Sequence, residues 1–383
     1  MNSKLKIATV VGARPQFIKA GVVNRIIRNE FSDQIEESII HTGQHYDHGM
    51  SDLFFEQLDI PKPAAHLGIG SSSHGSQTGE MLIKLEQAFQ NRKPDAIMVY
   101  GDTNSTLAGA LAAVKIHIPV IHVESGLRSY LTAMPEEVNR VCTDHVSSLM
   151  SCPNQTAITN LKNEGITDHS GVCTADNPWV KFHGDVMYDN ILFLRDKFGN
   201  HCDLMDQFGL EENGFVLATI HRPSNTDSSE TLKRLFSGLQ DLANQNSLKV
   251  FLPLHPRTLK LAESNLDPAF WNSFKEDKNI IIHEPIGIIE IGQLVGKSRM
   301  VITDSGGLQK EAVFLNKPCI ILRDRTEWVE LLDCGWGKTV SSDPEKMNLA
   351  FNELSQLSGS APPLYGDGNA AQKLCADILK AFS

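Results

Sequence analysis

Short runs of β-branched and aliphatic residues alternate along the whole chain with longer segments of helical period, and this alternation leaves little room for anything but parallel α/β units. In the first half the runs at 7–11, 38–41, 96–100 and 120–123 are expected strands. After a helical pattern at 186–198 they restart at 215–220, 249–254, 280–283, 300–303 and 319–322. Two open sheets follow. A chain of 383 residues also exceeds what one hydrophobic core serves, at about 100 to 200 residues per domain. The join is expected near His183-Gly184-Asp185, giving domains over 1–184 and 185–368. A loop rich in Ser, Gly and Pro at 358–368 precedes a last amphipathic helix at 370–382, which could pack on either domain.

Composition narrows the partners. With 41% hydrophobic and 21% charged residues this is an ordinary globular chain. A formal net charge of −11 without any cluster of Lys and Arg argues against a nucleic-acid partner. An anionic small molecule stays open, because a few arginines and helix N-termini bind a diphosphate whatever the global sign. No stretch approaches the roughly 18 apolar residues of a membrane helix, and Gly12-Ala13-Arg14 interrupts the first apolar run, so neither a membrane partner nor a secretory signal is expected. Seven scattered cysteines with no C-x-x-C spacing read as buried thiols in a reducing cytoplasm.

In open α/β sheets ligands bind beyond the carboxyl ends of strands, and the unusual polar residues fall there. Gly12-Ala13-Arg14-Pro15 follows the first strand, with Arg14 and Lys19 early in the next helix as a candidate anion site. The alternative is a purely structural turn. Asp102 follows the strand at 96–100, as a site carboxylate or as the cap of a helix starting at Asn104. Glu124 follows the strand at 120–123, with Arg128 as the only structural partner at hand. Glu136 and Arg140 lie one turn apart on a helix opened by Pro135, where a solvated ion pair is the plain alternative. In the second half, His221-Arg222 and His255-Pro256-Arg257 follow neighbouring strands, and the pairing of histidines with arginines points to an anion. Ser305-Gly306-Gly307 then opens a helix whose N–H groups and dipole suit a phosphate, with Glu311 in reach of ribose hydroxyls. This is neither a Walker loop nor a G-x-G-x-x-G fingerprint, and the histidines lack zinc-ligand spacing, so no cofactor and no metal are expected.

Together the motifs 12–19 (GARPQFIK), 101–103 (GDT), 122–128 (HVESGLR), 135–140 (PEEVNR) and 303–307 (TDSGG) closely resemble the bacterial UDP-N-acetylglucosamine 2-epimerase family over nearly the whole chain. That resemblance implies a GT-B-like fold, two Rossmann-like domains with parallel sheets facing a central cleft, a homodimer, and a last helix (369–383) that returns to the first domain. It further implies Asp102, Glu124 and Glu136 as catalytic carboxylates, with Arg14, Lys19, Arg140 and His221 around diphosphate and sugar. Ser305, Gly306, Gly307 and Glu311 would hold phosphate and ribose. The variants at 12–19 and at 323–330 (RDRTEWVE) look more like enzymes acting on UDP-2,3-diacetamido-glucuronate. Tyr46 after Gln44-His45, and Pro223 after His221-Arg222, depart from the pattern of the allosterically activated members.

The residue types suit one chemistry. The carbon 2 proton of a sugar becomes acidic only as UDP leaves carbon 1, so the reaction needs donors on the departing diphosphate and carboxylates near both faces of the ring. Elimination to a 2-acetamidoglucal and re-addition of UDP then invert carbon 2, as for a surface polysaccharide precursor. Crowded carboxylates would raise some of their own pKa values. A hydrolysing 2-epimerase that releases UDP, a GT-B glycosyltransferase, and a non-catalytic UDP-sugar sensor are the alternatives.

Overall fold

The computed structural model of the protein describes residues 3–44, 59–199 and 201–383. It divides into two compact units, Met1–Leu192 with Pro363–Ser383, and Phe193–Pro362. The division falls inside the helix Val186–Phe198 rather than at its start.

The first unit holds seven strands: β1 (Leu5–Val11), β2 (Ile35–His41), β3 (Ala65–His66), β4 (Ala96–Tyr100), β5 (Val120–Val123), β6 (Leu149–Cys152) and β7 (Trp179–Phe182). Their order is β3-β2-β1-β4-β5-β6-β7, with every pairing parallel. The second unit holds β8 (Phe215–Thr219), β9 (Lys249–Pro253), β10 (Ile280–His283), β11 (Met300–Thr303), β12 (Cys319–Ile321) and β13 (Gly337–Thr339). They run β10-β9-β8-β11-β12-β13, again all parallel. Each unit is thus an α/β Rossmann-like layer whose strand order reverses at its first strand. The crevice beyond the carboxyl ends of β1 and β4, or of β8 and β11, is where such sheets take ligands.

Helices cover both faces of a parallel sheet, so the central strands read as unbroken apolar runs; all five residues of β4 are buried. Around it Val10, Ile97, Val99, Met81, Leu85 and Phe89 form one core, each contributing roughly 1.5–3 kcal/mol by leaving water. The helix Asn104–Lys115 approaches this sheet closely because Gly109 has no side chain. A β carbon there would stand 3.0 Å from Val99 Cγ1 and 3.4 Å from Val10. In the second unit Phe236, Trp271 and Phe274 stack within a separate core.

Four strands escape the periodicity. β3 and β13 are short edge pieces, and β6 (LMSC) carries no β-branched residue although it is wholly buried; packing, not propensity, makes it a strand. β7 is half exposed. The last helix, Ala370–Phe382, buries the stripe Ala370, Ala371, Leu374, Cys375 and Ile378 within the first unit. Asp189 accepts from the N–H groups of Ala370 and Ala371 at 3.1 and 2.8 Å, while Asp377 lies 3.2 Å from His183 Nε2. Burial pushes the Asp189 carboxyl up to about 6. The cysteines are all free thiols, but Cys142 is exposed and Cys334 only half-buried, which corrects the expectation of seven buried ones. Among the described residues no helix is long and apolar enough to cross a membrane, and no group of His, Cys, Asp or Glu could hold a metal ion.

Candidate functional site

In the first unit the polar residues gather where β1, β4 and β5 end. Gly101 extends β4 with φ +62°, and its N–H donates to the Val123 carbonyl at 3.0 Å. Glu124, next to it at the end of β5, also takes a left-handed backbone, φ +69°. For a glutamate that conformation costs about 1–3 kcal/mol and persists only where the surroundings impose it. Here they do: the N–H groups of Glu124 and Ser125 both donate to the Ser151 carbonyl, at 3.1 and 3.2 Å. The Glu124 carboxylate forms an ion pair with Lys19, both side chains being nearly buried. A β carbon on Gly101 would lie 3.8 Å from each member of that pair, in ordinary contact, so it is the positive φ at 101 that favours glycine there.

Asp102 forms an ion pair with Arg140, whose Nη1 also donates to Glu137 at 3.0 Å. Glu137 in turn accepts from Ser129 N, Ser129 Oγ and Tyr130 N at 2.8–2.9 Å. Burial alone would raise its carboxyl, but the donors from Ser129 and Tyr130 and the Arg140 charge hold it below the ordinary value.

These contacts decide three alternatives left open by the sequence. The helix Asn104–Lys115 is capped by Thr103, not Asp102. Arg128 pairs with Asp144 at 2.6 Å and with Glu164 through two bonds of 2.6 and 2.7 Å, not with Glu124. Arg140 takes Glu137 and Asp102, not Glu136, which stands exposed in the first turn of the helix Pro135–Asp144 with no hydrogen bond or ion pair among the described residues. Glu124 and Asp102 each sit against a cation.

Behind this cluster lies a buried network absent from the sequence reading. His122, wholly buried, has Nδ1 2.7 Å from Asp144 Oδ1 and Nε2 2.7 Å from the Gly101 carbonyl. Both partners are acceptors, one a carboxylate and the other a backbone carbonyl. Asp144 Oδ2 additionally accepts from Gly126 N at 3.1 Å and from Arg128. Burial would raise the Asp144 carboxyl, yet the charges and hydrogen bonds of His122 and Arg128 hold it low. Gln16 is the second omission. Its Oε1 accepts from Gly12 N and Ala13 N at 2.8 and 3.1 Å, while its Nε2 donates to the Tyr100 carbonyl at 2.8 Å, tying the turn after β1 to the end of β4. The only signal was its place in the first turn of the helix Arg14–Ile26. Arg14 is exposed at that helix start. His45 and Tyr46 lie outside the described residues.

In the second unit the centre is Asp304, fully buried at the end of β11. Its carboxylate accepts from His221 N (3.0 Å), Arg222 N (2.9 Å), Asn225 Nδ2 (3.0 Å) and His221 Nδ1 (2.9 Å). The bond to Asp304 raises the His221 pKa, while burial and Arg323 act the other way. Half of the His221 side chain remains exposed. Ser305 caps the helix Gly306–Phe314 through Leu308 N at 3.5 Å. Glu311 reaches back over the glycines, its Oε1 3.8 Å from where a β carbon on Gly307 would stand. Ser305, Gly306, Gly307, Glu311 and His221 therefore surround the carboxyl ends of β8 and β11. His255 is exposed and uses Nδ1 to cap its own helix, Pro256–Asn265, through Arg257 N at 3.2 Å; Arg257 pairs with Asp227.

The profile of the UDP-N-acetylglucosamine 2-epimerase family matches residues 28–380. A UDP-N-acetylglucosamine 2-epimerase homolog of Methanococcus maripaludis is 44% identical over 379 residues, covering 98% of this chain and 99% of its own. A UDP-2,3-diacetamido-2,3-dideoxy-D-glucuronate 2-epimerase of Pseudomonas aeruginosa is 42% identical over 377 residues, 98% of this chain and all of its own. Among solved structures, the Methanocaldococcus jannaschii UDP-GlcNAc 2-epimerase in complex with UDP-GlcNAc and UDP superposes with a TM-score of 0.82 at 35% identity, covering 98% of this chain and 99% of that one.

Proposed function

The chain belongs to the UDP-N-acetylglucosamine 2-epimerase family, a sugar-nucleotide epimerase by that membership, and we propose that it inverts carbon 2 of a UDP-2-acetamido sugar without net hydrolysis. The observation that carries this reading is Glu124, held in a strained backbone against Lys19 beside the Asp102–Arg140 pair. Two carboxylates fixed at adjacent strand ends are what removal and return of a ring proton require.

In this reading the second unit binds the nucleotide. The N–H groups opening the helix at Gly306 and Gly307, the Ser305 hydroxyl and the His221 imidazole stabilise negative charge on the diphosphate as its bond to carbon 1 breaks. Glu311 accepts from ribose hydroxyls. Asp102, Glu124 and Glu136 serve as acid and base for the two faces of the sugar, first taking the carbon 2 proton to form a 2-acetamidoglucal and then returning one to the opposite face as UDP re-adds. The segments 12–19 and 323–330 support a 2,3-diacetamido uronate over plain N-acetylglucosamine as the hexose. A homodimer in the cytoplasm completes the proposal.

Incubation in deuterated water with UDP-GlcNAc or with its 2,3-diacetamido uronate relative tests it. Deuterium should enter carbon 2 with UDP still attached at equilibrium, faster for the uronate. Accumulation of free UDP and sugar would identify a hydrolysing enzyme instead, and no carbon 2 exchange on any UDP-sugar would exclude epimerisation.

A further inference from the structure

The segment 323–330 follows β12, and Arg323 at its head is buried to an unusual degree for a guanidinium, with 8% of its side chain exposed. Two of its three nitrogens are occupied. Nε donates to the Asp304 carbonyl at 3.0 Å, and Nη1 donates to Glu327 Oε2 at 2.6 Å. Nη2 is buried and has no hydrogen-bond partner, although an unmatched guanidinium N–H in a protein interior is costly. It faces the start of the helix Gly306–Phe314: a β carbon on Gly306 would stand 3.7 Å from Nη2 and 2.6 Å from Glu327 Oε1. Any side chain at 306 would fill this spot.

We infer that Arg323 is a binding residue for the nucleotide diphosphate, its Nη2 closing the anion site formed by the Gly306 helix start and His221. Three groups then converge on one charge from three elements: the helix N-terminus after β11, the imidazole after β8, and the guanidinium after β12. Both groups rest on Asp304: His221 Nδ1 lies 2.9 Å from its carboxylate, and Arg323 Nε donates to its carbonyl at 3.0 Å. Glu327 has a defined part. Its carboxylate would repel a phosphate if unpaired; bound to Nη1 it is offset, and it fixes the guanidinium plane so that Nη2 points at the turn. A side chain at 306 would displace the Glu327 carboxylate from beside the turn.

This inference rests on the second unit being the nucleotide site, and the probes are chosen to separate the two claims. On the full-length chain, UDP binding is measured by calorimetry and uridine binding by ligand-observed NMR, for the wild type, Arg323→Gln and Arg323→Lys. A buried charge-assisted bond to phosphate predicts that Arg323→Gln weakens UDP roughly 10- to 100-fold and leaves uridine within about twofold. Arg323→Lys keeps the charge but not the fork and should fall between; it also carries the test if the glutamine variant does not fold. UDP affinity within about twofold of wild type in both variants would overturn the inference. So would parallel weakening of UDP and uridine, the mark of a collapsed turn. A wild type that binds neither probe would instead remove the proposed nucleotide site, and this residue's role with it.

Discussion

Each unit keeps one fully buried aspartate behind its sheet crevice, and the two are used differently. Asp144 in the first unit is matched by buried partners alone, His122, Arg128 and the Gly126 N–H, so its charge is absorbed inside the protein. What this network holds is backbone: the Gly101 carbonyl on His122 and the turn at Gly126, on either side of Glu124. Asp304 in the second unit is matched by backbone N–H groups, Asn225 and a histidine that is half exposed, so part of its charge is passed outward to a group a ligand can touch. One topology thus supports two arrangements: the first crevice holds carboxylates in a strained geometry, the second presents a half-exposed imidazole, and the residues after each strand decide between them.

Breaking the inward network should have the largest effect. Asp144→Ala leaves an arginine and a histidine without their buried acceptor and should cost about 3–5 kcal/mol, read as a lowered urea midpoint. A midpoint near wild type would mean that the network does not hold the first crevice together. Next, Glu124→Gln and Asp102→Asn should each lower kcat by roughly 10² or more while UDP affinity stays within about twofold. If UDP binding weakens in step with kcat, the division of labour between the units is wrong. The smallest effect sharpens the outward arrangement. Because Asp304 raises the His221 pKa, the imidazolium is present below that pKa and is lost as pH rises through it. Asp304→Asn should therefore weaken UDP about tenfold near neutral pH, within what loss of one charge-assisted bond allows, and move the fall of UDP binding to lower pH. A binding profile unmoved along the pH axis would detach Asp304 from this role.

Much of this was legible before any coordinates. The strands at 96–100, 120–123 and 300–303 announce themselves because burial on both faces demands continuous apolar runs, and Pro15 and Pro135 mark helix starts through their fixed φ and missing N–H. The polar residues after those strands could be picked out as site candidates for the same reason: nothing in packing explains them. Strand β6 could not be read, since its identity comes from neighbours distant in the chain.

Sequence by itself determined the two parallel α/β units and the residues standing at their strand ends, because hydrophobic period and turn chemistry act over a few neighbouring residues. Only the tertiary structure decided the partners. Lys19 pairs with Glu124 across 105 positions, Arg140 with Asp102 across 38, and Arg323 with the Asp304 carbonyl across 19. An ion pair is selected by distance and by the loss of surrounding water, and neither is encoded by spacing along the chain. The left-handed backbone of Glu124 belongs to the same class. Its own side chain disfavours it, and the Ser151 carbonyl, on a neighbouring strand, holds it by accepting from the N–H groups of Glu124 and Ser125.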